Sequence, residues 1–185
     1  MARAKVSPTI ELEYETFGDP QNPALVLMEG HGAQMVKWDT EYCKMFAARN
    51  LFVIRFDNRD CGLSTKFDGI EVDLGATLKA ALLEEPLPPV PYTLSDMASD
   101  VVGLLDHLKI DRSHIFGVSL GGMIAQVLTI EHPMRVRSLI SVMSMTGEPE
   151  YGQSTPEAIG ALLSASPSDR AGYIEHSIVY QVYHS

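Results

Sequence analysis

Ser119 sits in the run Gly117-Val118-Ser119-Leu120-Gly121, with Gly122 next, and the flanking residues give that spacing chemical meaning. Ser113 to Val118 reads as a short buried strand carried by Ile115, Phe116 and Val118. Met123, Ile124, Val127 and Leu128 then recur at helical spacing. A serine on a sharp turn between strand and helix has its hydroxyl thrust above the sheet edge, where it can attack an acyl carbon. Glycines on either side suit such a turn because strand and helix approach too closely there for side chains. The five-residue pattern alone is common; the strand before it and the helix after it mark Ser119 as a candidate nucleophile.

Acyl transfer through a serine also needs donors for the oxyanion that forms on the substrate. The N–H of Leu120, following the serine, is the first. The second is expected from the loop Glu29-Gly30-His31-Gly32, as the backbone N–H of His31. The His31 side chain is read as lining the pocket and not as the base, because on an elbow of this kind the base follows the serine in the chain. Glu29, Gly30, Gly32 and Met123 flank these groups and are the expected substrate-pocket residues. Glu29 is the odd member: a carboxylate beside a developing oxyanion repels it unless it points away or is protonated. No cofactor or metal is expected, since Cys43 and Cys61 are too few for a metal pattern or a disulfide framework. Cys43 reads as a small core residue on a helix and Cys61 as a loop thiol.

The elements that must position these groups follow from periodicity. Ile10 to Glu15 alternates apolar and acidic residues, as a strand with one wet face does, and Ala24 to Met28 and Leu51 to Phe56 are apolar runs suited to buried central strands. Trp38 to Arg49 has the stripe of an amphipathic helix. Pro86, Pro88, Pro89 and Pro91 imply an extended surface connection. Thr93 and Asp96 form a capping arrangement ahead of a helix through Leu108, and Val136 to Met143 is a further strand. Strands alternating with helices predict an α/β fold, a mostly parallel sheet with helices on both faces. Ligands on such sheets sit at the carboxyl ends of the strands, where Glu29 to Gln34, Asp57 to Thr65 and the Ser119 turn converge. Asp57, Arg59 and Asp60 are expected to brace their loop through arginine–carboxylate bonds; His107 and His114 read as surface residues and His132 as a helix end.

With 185 residues, 45% apolar and 21% charged, the chain has the bulk of one globular domain. Acidic residues outnumber basic ones by 24 to 14, a net charge of −10, which argues against a nucleic-acid or anionic-membrane partner and says nothing more specific; the small ester-like substrate is expected from the serine chemistry. No apolar run approaches a membrane span and no secretory h-region follows the N-terminus, so a cytoplasmic location is expected.

Several stretches together resemble a known family. Phe56-Asp57-Asn58-Arg59-Asp60-Cys61-Gly62-Leu63-Ser64, Tyr92-Thr93-Leu94 through Asp106-His107-Leu108, the run from Gly117 to Gln126, and His132-Pro133 with Arg135-Val136 are similar to bacterial α/β-hydrolases of the aclacinomycin methylesterase group. The resemblance covers residues 9 to 145 and implies a serine hydrolase of carboxylester type. It further implies a triad acid and a histidine on later strands, and the sequence has none after about Met143. Asp169, His176 and His184 lie instead in a segment that reads as the opening of a helical cap, with Thr155-Pro156-Glu157 starting one helix and Ile174, Ile178, Val179 and Val182 striping another. The expected organisation is a C-terminally incomplete core over 1–147 and a cap segment over 148–185, weak or inactive as an esterase by itself. A non-catalytic binding or assembly module on the same fold is the alternative, since an exposed sheet edge would favour self-association. A nucleotide-binding module is disfavoured, because no glycine-rich phosphate loop follows the first buried strand.

Overall fold

The computed structural model describes residues 1–185 except 84, 87, 149–150, 152–154, 156, 159, 161–166, 168 and 185. Contacts divide the chain into two compact units, Met1–Thr146 and Gly147–Ser185. The first unit is built on a six-stranded sheet in the order β1-β2-β4-β3-β5-β6. These strands are β1 (Ala2–Lys5), β2 (Glu11–Phe17), β3 (Ala24–Met28), β4 (Phe52–Phe56), β5 (Ser113–Val118) and β6 (Val136–Val142). β1 and β2 run antiparallel, whereas β4, β3, β5 and β6 are parallel.

Helices cover both faces because the central strands bury alternate residues on each side. On one face Val26, Met28, Ile54, Phe56 and Ile115 pack against α3 (Leu94–His107) and α4 (Leu120–Glu131), through Val101, Leu104, Leu105, Ile124 and Leu128 among others. On the other, Leu25, Leu27 and Val53 pack with Trp38 and with Cys43 of α1 (Thr40–Ala47). This two-residue alternation in near-continuous apolar strands is what a parallel sheet sandwiched between helices demands. Arg55 is the polar exception on the α1 face. Its guanidinium is buried and fully engaged, donating to Glu15 Oε2 at 3.1 and 2.5 Å, to Thr40 Oγ1, and to the Trp38 carbonyl.

Two elements lie outside the sequence expectation. β1 forms from the basic N-terminal residues, paired to β2 with Arg3 bonded to Glu13 at 3.3 Å. α2 (Leu74–Leu82) occupies part of the stretch read as an extended connection. The prolines did their work only downstream of it, and Ala76, Ala80 and Ala81 gave no amphipathic stripe to read. The first cap helix expected at residue 155 includes position 156, outside the described residues. In the second unit α5 spans Arg170–His184, with Gly172 N–H bonded to Asp169 at 2.9 Å near its start. Among the described residues no helix is long and apolar enough to cross a membrane.

Among the described residues β6 is the strand at one edge of the sheet. Leu139, Ile140, Val142 and Met143 are all exposed there. At the start of α3 the capping arrangement is complete: Asp96 N–H reaches Thr93 Oγ1 at 3.3 Å, and Thr93 N–H reaches Asp96 Oδ2 at 2.8 Å. Thr93→Ala should therefore cost about 1 kcal/mol of stability in urea unfolding. A loss indistinguishable from zero would show that the box is solvated away in solution.

Candidate active site

The register of the parallel strands brings the site together. Met28 of β3 lies opposite Gly117 of β5, so the next residues along, Glu29-Gly30 and Val118-Ser119, leave the sheet side by side. Ser119 takes φ 54°, ψ −122°, a backbone state that costs roughly 1–3 kcal/mol for a residue with a side chain and must be held by its surroundings. Its N–H donates to the Val142 carbonyl of β6 at 2.9 Å, and its carbonyl accepts from Gly122 N–H at 2.9 Å, opening α4. A Cβ on Gly121 would stand 2.7 Å from the Glu29 carbonyl oxygen, and one on Gly117 would stand 2.6 Å from Gly122 N. Only glycine lets the first turn of α4 settle against the ends of β3 and β5.

Gly30 lies directly against the serine: a Cβ there would be 3.0 Å from Ser119 Cβ and 3.5 Å from Oγ. The serine hydroxyl makes no capping bond to α4, which leaves it unspent on the helix. Among the described residues, the backbone N–H groups of His31 and Leu120 have no protein acceptor, while Gly30 N–H is occupied by Glu29 Oε2 at 3.2 Å. Two unpaired donors and a half-buried serine hydroxyl that caps no helix are the parts an oxyanion site requires.

A cleft of about 330 Å³ opens beside the serine. Gly30, His31, Gly32 and Leu120 line it, so four of the residues singled out by sequence meet there. Ser119, Glu29 and Met123 do not; the serine stands behind Gly30 and Leu120, its neighbours in space and in sequence. Glu29 is buried, its carboxyl turned onto Gly30 N–H, and burial raises its pKa above the usual glutamate value, opposed by that N–H and by Lys37. Met123 is half-buried on the first turn of α4, away from the cleft lining.

The rest of the lining comes from the loop after β4, with Asn58, Arg59, Asp60 and Cys61, and from the approach to and start of α3, with Tyr92, Thr93, Leu94 and Met97. The topological rule pointed to the first of these segments. Nothing in the sequence marked Tyr92 or Met97 as more than an approach to a helix. Arg59 does brace the loop, but its partner is Asp100 of α3 and neither Asp57 nor Asp60. Its Nε and Nη2 donate to the two Asp100 oxygens at 2.6 and 2.8 Å, with both side chains nearly buried. The guanidinium lies over the rings of Tyr92 and Phe67, 5.4 and 5.9 Å from their centroids.

Asp57 locks this loop to the oxyanion loop. Its Oδ1 accepts from Met35 N–H at 2.7 Å and its Oδ2 from Leu63 N–H at 2.9 Å. Gly62, at φ 51°, makes room for that carboxylate, since a Cβ there would overlap it. Asn58 Nδ2 donates to the Glu29 carbonyl at 3.1 Å, and Cys61 Sγ to the Ala33 carbonyl at 3.1 Å. Burial pushes the Cys61 thiol above its ordinary pKa, so it stays protonated and serves as a donor. Among the described residues no group of three or more His, Cys, Asp or Glu side chains could hold a metal ion.

Of the other histidines in this unit, His107 is exposed at the end of α3 and packs edge-on against Tyr14. His114 is half-buried on β5 with Nδ1 bonded to Ser138 Oγ at 2.7 Å. His132 caps the far end of α4, about 20 Å from the serine at the helical rise.

Asp57→Ala should orphan one buried and one partly buried N–H donor and lower stability by roughly 2 kcal/mol, read from the urea midpoint at constant slope. Glu29 gives a pH prediction. A carboxyl whose folded pKa is raised above its unfolded value favours the folded state fully below the unfolded pKa and loses that advantage as pH rises through the folded one. Glu29→Gln, which keeps an acceptor for Gly30 N–H, should gain stability over the parent as pH rises from 4 to 8. Melting temperatures that stay parallel across that range would show that Glu29 escapes burial.

Comparison with known proteins agrees with this geometry. The family model of the alpha/beta hydrolase fold matches residues 23–181. Rhodomycin D methylesterase DauP from Streptomyces sp. (strain C5) is 30% identical over 130 residues, 70% of this chain and 38% of that protein. 3-Oxoadipate enol-lactonase 2 from Acinetobacter baylyi is 27% identical over 152 residues, 81% of this chain and 48% of that protein. The chain thus spans less than half the length of these curated relatives. Among solved structures, Est816, described as an N-acyl homoserine lactone degrading enzyme, superposes with a TM-score of 0.64 at 25% identity, covering 98% of this chain and 63% of that one. The strand order, the glycine-flanked turn at Ser119 and the matched family model place this chain in the α/β-hydrolase fold family.

Proposed function

We propose that this chain carries the nucleophile and oxyanion donors of a serine hydrolase acting on carboxylic esters or related acyl compounds. The observation that carries this reading is Ser119, held at φ 54° against Gly30, next to a cleft whose lining includes His31 and Leu120 with their unpaired N–H groups. Ser119 Oγ attacks the acyl carbon while its proton passes to water, and the carbonyl oxygen becomes an oxyanion facing the two N–H groups. Collapse of that intermediate breaks the ester C–O bond; the leaving alkoxide takes a proton back from water to depart as the alcohol, leaving an acyl-serine for water to cleave. Esterase and lactonase relatives support the class of chemistry, with a small molecule as substrate.

The base is the weak point. Within Met1–Thr146 only His31 borders the cleft, and Ser119 makes no hydrogen bond to it. We therefore assign His31 a backbone role and expect these 185 residues by themselves to turn esters over poorly. Stripped of triad partners, an elbow of this type retains roughly 10³–10⁴-fold acceleration over water. The segment 148–185 is read as part of a cap, a location in the cytoplasm fits the reading, and the β6 edge favours self-association. That edge is also what favours the second reading, a non-catalytic assembly module.

A fluorophosphonate should label the chain slowly at a single site, mapped to Ser119 by mass spectrometry and abolished in Ser119→Ala. Labelling that ignores this substitution would favour the assembly module. Hydrolysis of p-nitrophenyl acetate should remain far below the roughly 10 s⁻¹ of an ordinary enzyme, and His31→Ala should lower it by much less than the 10⁴-fold of a lost base. Serine-dependent turnover at ordinary rates, lost in both variants, would make His31 the base.

A further inference from the structure

The cleft lining carries two charged side chains, and they are not equivalent. The Arg59 charge is cancelled by its two bonds to Asp100, which lies behind the cleft wall. Asp60 has no such partner. Its Oδ1 accepts from Phe67 N–H at 3.2 Å and its Oδ2 from the Tyr92 hydroxyl at 3.1 Å, both neutral donors. Burial, reinforced by Asp60, pushes Tyr92 up to about 12, so the phenol keeps its proton and stays a donor. Lys66, on the same loop, is exposed and forms no ion pair with Asp60 among the described residues. Neither Glu29 nor Asp57 adds charge to the lining, since both are buried and turned onto backbone N–H groups.

Backbone conformation adds an independent observation. Asp60 sits at φ 65°, a left-handed state that aspartate and asparagine adopt more readily than other residues with side chains. Its N–H is bonded to the Thr65 carbonyl at 2.8 Å, so the loop fixes this state. The fixed backbone holds the carboxylate in one place on the cleft lining.

We propose that Asp60, steadied by Tyr92, is the charge-selecting residue of this cleft, and that the cleft takes acyl compounds bearing an ammonium group in preference to neutral or anionic ones. The proposal deepens the serine-hydrolase reading by naming its substrate class. A carboxylate with two donors in place retains two further acceptor positions. The Tyr92 ring beside it offers an aromatic edge to the apolar part of such a ligand, and Leu94, Met97 and Leu120 supply the rest of the apolar surface. The partly wet setting of Asp60 limits the preference to about fivefold for a charge some 4 Å away.

The test uses acetylcholine and 3,3-dimethylbutyl acetate, which share a shape and differ in the cationic nitrogen. Both are titrated into the full chain carrying Ser119→Ala, labelled at methionine methyl groups, at pH 8 where an ordinary imidazole is neutral. Met97 is the reporter in the cleft wall. Acetylcholine is expected to bind about fivefold more tightly, with the advantage abolished by Asp60→Asn and kept by Tyr92→Phe. Asparagine tolerates the left-handed backbone, its Oδ1 still accepts from Phe67 N–H and its Nδ2 can donate to the Tyr92 hydroxyl oxygen, so the loop should survive; matching circular dichroism verifies this. Equal affinities, no binding of either compound, or a preference surviving Asp60→Asn would each overturn the proposal. Because the serine is absent throughout, these outcomes are independent of whether Ser119 is a nucleophile.

Discussion

The buried carboxylate of Asp57 is the constraint on which the site rests. It is only 3% exposed, and both of its oxygens are spent on backbone N–H groups from loops that otherwise have no ladder to join. Its own N–H goes to the Glu13 carbonyl and its carbonyl accepts from Ser64 Oγ, which ties the same residue to β2 and to the far end of its loop. Leaving a charge of this kind unpaired in the interior would cost several kcal/mol, so its bonds are cooperative: the loop conformation that satisfies one oxygen also satisfies the other. The loop after β3 is thereby fixed from outside. Asn58 and Cys61 add their bonds to the Glu29 and Ala33 carbonyls, and the segment that offers the His31 N–H is held at three points.

Ser119 is stabilised by a different route. Its strained backbone is clamped between sheet neighbours: Val142 takes its N–H, and Gly121 is pressed against the end of β3. Nucleophile and donor therefore belong to separate, individually rigid supports that meet because Met28 and Gly117 are in register. Geometry of this kind survives small shifts in either loop better than a site on one flexible segment, since each part is referred to the same parallel strands.

Much of this was legible beforehand, and the reasons are local. The apolar runs of β3 and β4, the capping pair Thr93–Asp96 and the glycine-flanked serine announce themselves within a few residues, because burial on both faces, a helix start and a tight turn each restrict composition directly. The convergence of three loops followed from parallel topology alone. What escaped depends on partners distant in sequence. β1 is a strand only because β2 offers it an edge, and its basic residues answer acids on that neighbour. Arg59 could be recognised as a brace, yet its partner Asp100 is 41 positions away on a helix whose apolar stripe gave no reason to single out one acid. Tyr92 became part of a cleft wall only when α3 was laid beside the β4 loop. Glu29 looked misplaced next to an oxyanion site; in the fold it is turned onto its neighbour's N–H, a local bond no spacing rule anticipates.

The same division explains how charge is distributed near the serine. A net charge of −10 could have filled the cleft with repelling carboxylates. Instead Asp100 is matched by Arg59, Asp57 by two N–H groups and Asp96 by the helix cap it completes, which holds its carboxyl below the usual range. Each acid that stabilises the scaffold is consumed by it. Asp60 differs because it is exposed, pairs with no cation among the described residues and stands in the cleft lining, so its negative charge remains on the surface facing the site. In a cleft whose other walls are apolar or internally paired, one uncompensated charge sets the sign of the local field, and selectivity can change there without disturbing the structure that holds the serine.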